Sequence, residues 1–200
     1  MAEQTKVTTL EKVVIRFSGD SGDGMQLTGT IFSNLSAIFG NEISTFPDYP
    51  AEVRAPQGTL SGVSGFQVHL GSRKIFTPGD KADVLVAMNP AALKVNVKNL
   101  KPNAIVLIDT DSFQKSDLDK AQFTTDDPLQ VVAAPISTMV KDGLAEFGLD
   151  NKSALRCKNM FALGLVCWLF ERPLDEAMHM LQNKFAKKPA IAQANIKALT

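Results

Sequence analysis

The chain has 200 residues, 44% of them hydrophobic, with 21 basic residues against 21 acidic ones and no net charge. That is apolar material for one substantial core, so one domain is expected, with at most a small terminal appendage. The basic residues are scattered, which excludes nucleic acid and anionic membrane as main partners, and the longest apolar run, Met160–Phe170, is far shorter than the roughly 20 residues a bilayer requires.

No basic-then-apolar signal segment opens the sequence. The two cysteines, Cys157 and Cys167, fit neither a redox pair nor a zinc site. Two reduced core thiols and a cytoplasmic location are expected.

Val13-Val14-Ile15, with Phe17, reads as a strand. It passes into the turn Gly19-Asp20-Ser21-Gly22-Asp23-Gly24, after which Leu27, Ile31, Leu35 and Ile38/Phe39 recur at the helical period. Strand, glycine turn and helix in that order open a βαβ unit of the dinucleotide-binding type. Glycine lets a ligand approach the backbone closely, and the first N–H groups of a helix favour an anion. The spacing is G-x-x-G-x-G, not G-x-G-x-x-G, and no Gly-Lys-Ser/Thr follows, so a P-loop is excluded. Asp20 and Asp23 suit the positive end of a helix, yet they would repel a phosphate in the same space. On spacing alone two readings stay open: a packing turn whose acids cap the helix, and a ligand loop.

Gly40-Asn41 supplies a helix C-cap. Glu42–Phe46 is a short strand leading into Pro47–Gly58, whose three prolines forbid helix and disfavour a central strand. This is an irregular loop at the carboxyl end of the second strand, where ligands sit in open α/β sheets. Its one basic residue, Arg54, could pair with a phosphate or carboxylate; Glu52 and Asp48 are nearby alternatives and are preferred as local partners. Val63–Leu70 alternates as a half-buried strand, and Gly71-Ser72-Arg73 reads as a hairpin turn into Lys74-Ile75-Phe76. The sheet should therefore be mixed, with an antiparallel part.

Asp83–Asn89 and Ala104–Asp109 read as buried parallel strands, separated by a helix over Ala91–Asn99 and a turn at Lys101-Pro102-Asn103. Ser116–Gln130 is a polar excursion, and Val131–Ile136 is the last buried strand. One closing helix is capped by Ser137 or Thr138 and ended by Gly148. A second, over Ser153–Phe170, is apolar nearly all round and so wedged into the core. A third, over Asp175–Lys187, is amphipathic. A helical pattern restarts after Pro189 and stops at Thr200. Residues 1–188 are expected to form the domain and 189–200 to begin a linker to a following domain, the chain being a fragment of a longer polypeptide. The expected fold class is α/β: a Rossmann-like three-layer fold with a mixed, mostly parallel sheet and C-terminal helices.

No catalytic constellation is complete within these residues: there is no H-E-x-x-H, no EF-hand loop, no zinc-spaced cluster and no G-x-S-x-G elbow. His69 and His179 read as surface or core-edge residues, and Ser18 and Ser21 as possible donors to a phosphate. Phe32, Phe39, Phe161 and Met160 read as core, Lys81 and Lys101 as solvated. In an enzyme, such a chain binds, covers or orients.

Two motifs taken together, F-S-G-D-S-G-D-G-M-Q-L-T-G and F-P-D-Y-P-A-E-V-R-A-P-Q-G-T-L-S-G-V-S-G-F-Q-V, resemble the γ-subunit domain of the 2-oxoacid:ferredoxin oxidoreductases. The likeness is to the form fused to the front of the α subunit, and it looks nearest to the 2-oxoglutarate:ferredoxin oxidoreductase α subunit. A-D-V-L-V-A-M-N and K-N-M-F-A-L-G are similar to that family's strand and Asn-bearing helix start. The resemblance thus runs from about Lys12 to Lys187.

It implies oxidative decarboxylation of a 2-oxoacid on thiamine diphosphate, electron transfer through iron–sulfur clusters to ferredoxin, and delivery of the acyl group to coenzyme A. The thiamine diphosphate, Mg and clusters would belong to other domains or subunits. The implied partners are the remaining α-subunit domain and a thiamine-binding β subunit. This domain would help enclose coenzyme A, with Gly19, Ser21, Gly22 and Gly24 facing the coenzyme phosphates. Arg54 matches the arginine that follows the tyrosine-containing loop, and Asp23 stands where many γ subunits carry glutamine. No catalytic residue and no metal site is expected here, and the isolated fragment should be inactive. The rival, from a different class, is a free-standing nucleotide-binding regulator with a Rossmann-like fold, for which Asp48 is the candidate ribose acid. A third reading is a purely structural interaction domain.

Overall fold

The computed structural model describes residues 8–50, 62–113 and 128–200. Among them, strands β1 (Lys12–Asp20), β2 (Glu42–Asp48), β3 (Val63–Gly71), β4 (Ala82–Ala87), β5 (Leu100–Asp109) and β6 (Gln130–Ala134) form one sheet. Its order is β2-β3-β1-β4-β5-β6. β1, β4, β5 and β6 are mutually parallel, while β3 lies antiparallel to both β1 and β2. The helices are α1 (Met25–Ile38), α2 (Pro90–Asn96), α3 (Ile136–Gly143), α4 (Asn151–Leu155), α5 (Lys158–Leu169), α6 (Asp175–Lys184) and α7 (Pro189–Leu199). They lie on both sides of this mixed, mostly parallel sheet, as the sequence led us to expect. No helix among the described residues is long and apolar enough to cross a membrane.

The two-residue period of a strand divides the core into two layers. Val13, Ile15 and Phe17 of β1, with Val84 and Val86 of β4, join α1, α3, α5, α6 and α7 on one face. Val14, Leu85, Ala87 and Val106 join α2 on the other. In α1 the buried stripe centres on Phe32, whose ring meets Phe17 edge-on at 5.9 Å. Gly29 clears room for Phe66, whose ring a Cβ would overlap. The expected cap closes α1: Gly40, at φ 79, donates to Ala37 C=O, and Asn41 N–H donates to Ser36 C=O.

Several expectations are corrected. No strand forms at Lys74-Ile75-Phe76, because β1 and β2 already occupy both edges of β3. Instead this segment crosses the sheet, and Gln67 Nε2 donates to the carbonyls of Pro78 and Gly79 at 2.9 and 2.6 Å. The anticipated turn at Pro102 is part of β5, where the register with β4 shifts and Asn103 takes φ 61. β6 is an exposed edge strand rather than a buried one. The long apolar helix is two, α4 and α5. Cys157 N–H closes on Ala154 C=O, one residue short of α-helical register.

Neither Ser137 nor Thr138 caps α3 with its own side chain. Their N–H groups are met from β5, by Asp109 Oδ1 at 3.2 Å and Asp111 Oδ2 at 2.6 Å. Phe39 is half exposed, beneath the Arg172 guanidinium 5.4 Å from its ring centre, not core. Lys101 is paired with Asp83 at 2.7 Å rather than free in solvent.

The helical pattern after Pro189 packs as α7 against α5, burying Ala192, Ala194, Asn195, Ala198 and Leu199. Leu199 C=O comes so near Gly164 that any Cβ there would overlap it.

Candidate functional site

β1 ends at Asp20 and α1 begins at Met25, so the turn between them is short and heavily constrained. Asp23 N–H donates to Asp20 C=O at 2.9 Å, and Asp23 Oδ2 accepts from Asp20 N–H at the same distance. Gly24 is the N-cap of α1 with φ 74 and ψ 21, a left-handed conformation that costs a residue bearing a Cβ about 1–2 kcal/mol. A Cβ at Gly24 would also overlap the Asn159 amide, whose Nδ2 lies 3.5 Å from Gly24 C=O.

No side chain caps α1, and its first turn carries no acid. Among the described residues, therefore, the N–H groups of Met25, Gln26 and Leu27 carry the positive end of the helix dipole without a side-chain acceptor. The other turn residues divide by position. A Cβ at Gly19 would press on the Asp23 carboxylate at 2.7 Å, whereas one at Gly22 meets nothing within 4 Å. Ser21 and Gly22 are exposed and form the open rim.

Both acids of the turn are engaged by the protein. Asp23 lies 3.5 Å from Lys158 Nζ, on the first residue of α5. Burial pushes the Asp23 carboxyl above its ordinary value of 3.8; Lys158 and the Asp20 N–H oppose that rise, and the Asp20 charge adds to it. Asp20 Oδ1 accepts from Asn89 Nδ2 at 2.9 Å. The Asn89 Oδ1 in turn caps α2 through Ala92 N–H at 2.8 Å. Met88 N–H donates to Ser18 C=O at 3.0 Å, joining the carboxyl ends of β1 and β4. α1 leaves β1 toward one face and α2 leaves β4 toward the other. The crevice between them is the switch point of the sheet, where ligands of open α/β folds sit.

A polar network supports this edge from below. Arg16 of β1 bonds Asn96 Oδ1, pairs with Asp48 at the end of β2, and reaches Gln67 Oε1 at 3.4 Å. Asn96 Nδ2 donates to the buried Ser18 Oγ at 2.9 Å. Gln26 Nε2 reaches Gly65 C=O at 2.7 Å and Ser64 Oγ at 3.1 Å. Asp48, considered above as a ribose acid and as a partner for Arg54, is thus the partner of Arg16. Arg54 itself lies outside the described residues, as does most of the proline-rich loop and of the 116–130 excursion.

At the next strand end, the buried Asp109 accepts from Ser137 Oγ at 2.6 Å, Ser112 Oγ at 3.0 Å and the N–H groups of Asp111 and Ser137. That carboxylate is saturated and serves the fold. Among the described residues no group of His, Cys, Asp and Glu could hold a metal. Both thiols are free and buried, and burial pushes Cys157 up to about 11 and Cys167 to about 12.

Sequence reasoning missed Arg16, Asn89, Lys158 and Asn159 as parts of the site. Lys158 and Asn159 did stand in the K-N-M-F-A-L-G motif, but no local spacing ties them to a turn more than a hundred residues earlier.

Residues 14–200 match the family described as pyruvate ferredoxin/flavodoxin oxidoreductase. The chain is 48% identical, over 95% of its length, to the 2-oxoglutarate oxidoreductase subunit KorA of Mycobacterium tuberculosis. It is 26% identical, over 94% of its length, to the ketoisovalerate oxidoreductase subunit VorA of Methanothermobacter marburgensis. It spans only 30% and 35% of those two relatives.

Among solved structures, it is similar to the 2-oxoglutarate:ferredoxin oxidoreductase from Magnetococcus marinus with 2-oxoglutarate, coenzyme A and succinyl-CoA bound. There the TM-score is 0.72 and the identity 26%, covering 96% of this chain and 30% of that one. The keto/oxoacid ferredoxin oxidoreductase γ subunit from Geobacter sulfurreducens shares the fold at TM-score 0.62 and 21% identity, with 94% of this chain and 96% of that one covered. A match over nearly the whole sequence makes this chain a member of the pyruvate ferredoxin/flavodoxin oxidoreductase family, as a domain of a 2-oxoacid:ferredoxin oxidoreductase.

Proposed function

We propose that this chain is the γ-like domain of a 2-oxoglutarate:ferredoxin oxidoreductase α subunit, and that it helps enclose coenzyme A beside the thiamine diphosphate site of the complex. The observation that carries this reading is the open head of α1 at the switch crevice: backbone N–H groups without a side-chain cap, behind a rim where Gly22 leaves clear space. Such a head suits a phosphate. Asp23 and Asp20, which would repel one, are held from behind by Lys158 and Asn89. The residues present therefore fit the coenzyme's anionic end. The name of the Mycobacterium relative and the coenzyme A held by the Magnetococcus enzyme support the choice of substrate and ligand.

In this reading the chain's residues bind and orient. The α1 head and Ser21 take the phosphates, the braced turn fixes where they lie, and Arg54 is assigned to the same anion from the loop after β2. Thiamine diphosphate with Mg, and iron–sulfur clusters, supply the carbon–carbon cleavage and electron chemistry from other domains or subunits. The proposed partners are the remaining α-subunit domain, a thiamine-binding β subunit and ferredoxin as electron acceptor.

Calorimetric titration of the protein with its copurifying subunits, using coenzyme A, NAD(H) and ATP in turn, tests the reading. Saturable binding of coenzyme A, with no binding of NAD(H), is expected. Preferential binding of NAD(H) or ATP would instead favour a nucleotide-binding regulator. The chain purified alone should show no 2-oxoacid-dependent dye reduction.

A further inference from the structure

We propose that Lys158 is the side-chain cation that receives the anionic end of the ligand at the α1 head, and that Asp23 holds its ammonium in place until that anion arrives. The ligand's identity rests on the coenzyme A reading above; the division of labour between the two side chains rests on their geometry.

The Lys158 side chain is only 17% exposed, yet its one ion-pair contact among the described residues is a loose 3.5 Å to Asp23 Oδ1. A well-formed ammonium–carboxylate bond is about 2.7–2.9 Å long. The same protein makes such a bond elsewhere: Lys101 Nζ lies 2.8 and 2.7 Å from the two oxygens of Asp83, although that pair is more exposed. An ammonium carries three donors, so Lys158 has been largely withdrawn from water without being fully bonded in return. A buried charge in that condition gains from a further anionic partner.

Asp23 is held independently. Its other oxygen, Oδ2, accepts from Asp20 N–H at 2.9 Å and belongs to the turn itself. If Lys158 turns to a phosphate, Asp23 keeps its place. The charged groups facing Asp23 are Lys158 from α5 and Asp20 from the turn, and the first turn of α1 adds no acid. Asn159, beside Lys158, holds Gly24 C=O and fixes the start of α5 against the turn. The ammonium therefore stands next to the backbone donors rather than at the end of a free surface arm. The arrangement joins one mobile cation to a fixed set of N–H groups.

This account predicts opposite signs for the two halves of one ion pair. Lys158→Met should weaken coenzyme A and inorganic pyrophosphate about tenfold, the scale of one charge-assisted hydrogen bond. Asp23→Asn keeps an oxygen for the Asp20 N–H and releases the ammonium, so it should bind both probes severalfold more tightly. Lys158→Arg should stay within a factor of about three of the unmodified protein.

Dissociation constants come from calorimetry on the full chain with its copurifying subunits, and melting temperatures without ligand report on folding. A merely structural pair predicts that both substitutions weaken binding alike, and that result would overturn the inference. So would unchanged affinity in a folded Lys158→Met protein. Should Lys158→Met fail to fold, Asp23→Asn decides alone, and weaker or equal binding sinks the proposal. Failure of the unmodified protein to bind coenzyme A would reject the functional reading instead.

Discussion

Replacing Gly24 by alanine tests the turn on which the site depends. Gly24 sits at φ 74, ψ 21, where an L-residue is disfavoured by about 1–2 kcal/mol. The new Cβ would also overlap the Asn159 amide, and displacing that side chain forfeits its contact with Gly24 C=O, about 0.5–1.5 kcal/mol. Together the loss is about 2–3 kcal/mol. For a domain of this size, each kcal/mol lowers Tm by about 2–4 °C, so a fall of about 4–12 °C is expected. Gly22→Ala is the internal control: it has open space around the new Cβ and no positive φ, and should leave Tm within about 1 °C. Thermal melting and urea denaturation of the three proteins measure the differences. Equal stability of Gly24→Ala and the unmodified protein would refute the reasoning, as would a Gly22→Ala loss as large as that at Gly24.

Burial holds the Asp23 carboxyl above 3.8, so the folded chain binds this proton more tightly than the unfolded chain does. Its contribution to stability is therefore present in acid and lost as pH rises from the ordinary value through the shifted one. Asp23→Asn should flatten that part of the stability curve, as urea unfolding at a series of pH values would show. The Cys157 thiol, pushed up to about 11 from 9.0, carries about a hundredfold less thiolate at pH 8 than a free cysteine, and Cys167 carries less still. Both should resist a disulfide reagent until the protein unfolds, and rapid labelling of the native chain would contradict their burial. Deleting residues 189–200 strips α7 from α5 and uncovers the face that Leu199 and Ala198 cover. Burial of Leu199 alone contributes roughly 1.5–3 kcal/mol, so the truncated chain should melt at a clearly lower temperature; unchanged melting would mean that α7 adds nothing to the fold.

What was legible in the sequence was local. Val13-Val14-Ile15 declared a strand, the glycines a turn, and Gly40-Asn41 a helix stop, because each rests on neighbouring residues. Pairing partners are not local. Gly71-Ser72-Arg73 carried a genuine turn signal, but the hairpin it suggested was pre-empted when β1 and β2 took both edges of β3. Val131-Val132 looks as apolar as β4, yet its place at the rim of the sheet exposes it. Phe39 keeps the helical period but sits just beyond the last turn of α1, where Arg172 covers its ring instead of the core.

The site shows the same division. The glycine turn could be read from its spacing, while its two openings of meaning, packing or ligand, could not be separated. The separation came from contacts distant in sequence: Lys158 on Asp23, Asn159 on Gly24 and Asn89 on Asp20. These turn both acids toward the protein and leave the helix head uncapped.

The most direct test follows the backbone amides of Gly22, Met25, Gln26 and Leu27 by nitrogen-15 NMR while coenzyme A is added to the labelled chain, alone and with its partner subunits. Saturable shifts centred on those amides are the predicted result. Shifts confined to other parts of the sheet, with these four amides unmoved at saturation, would contradict the claim that the head of α1 receives the coenzyme.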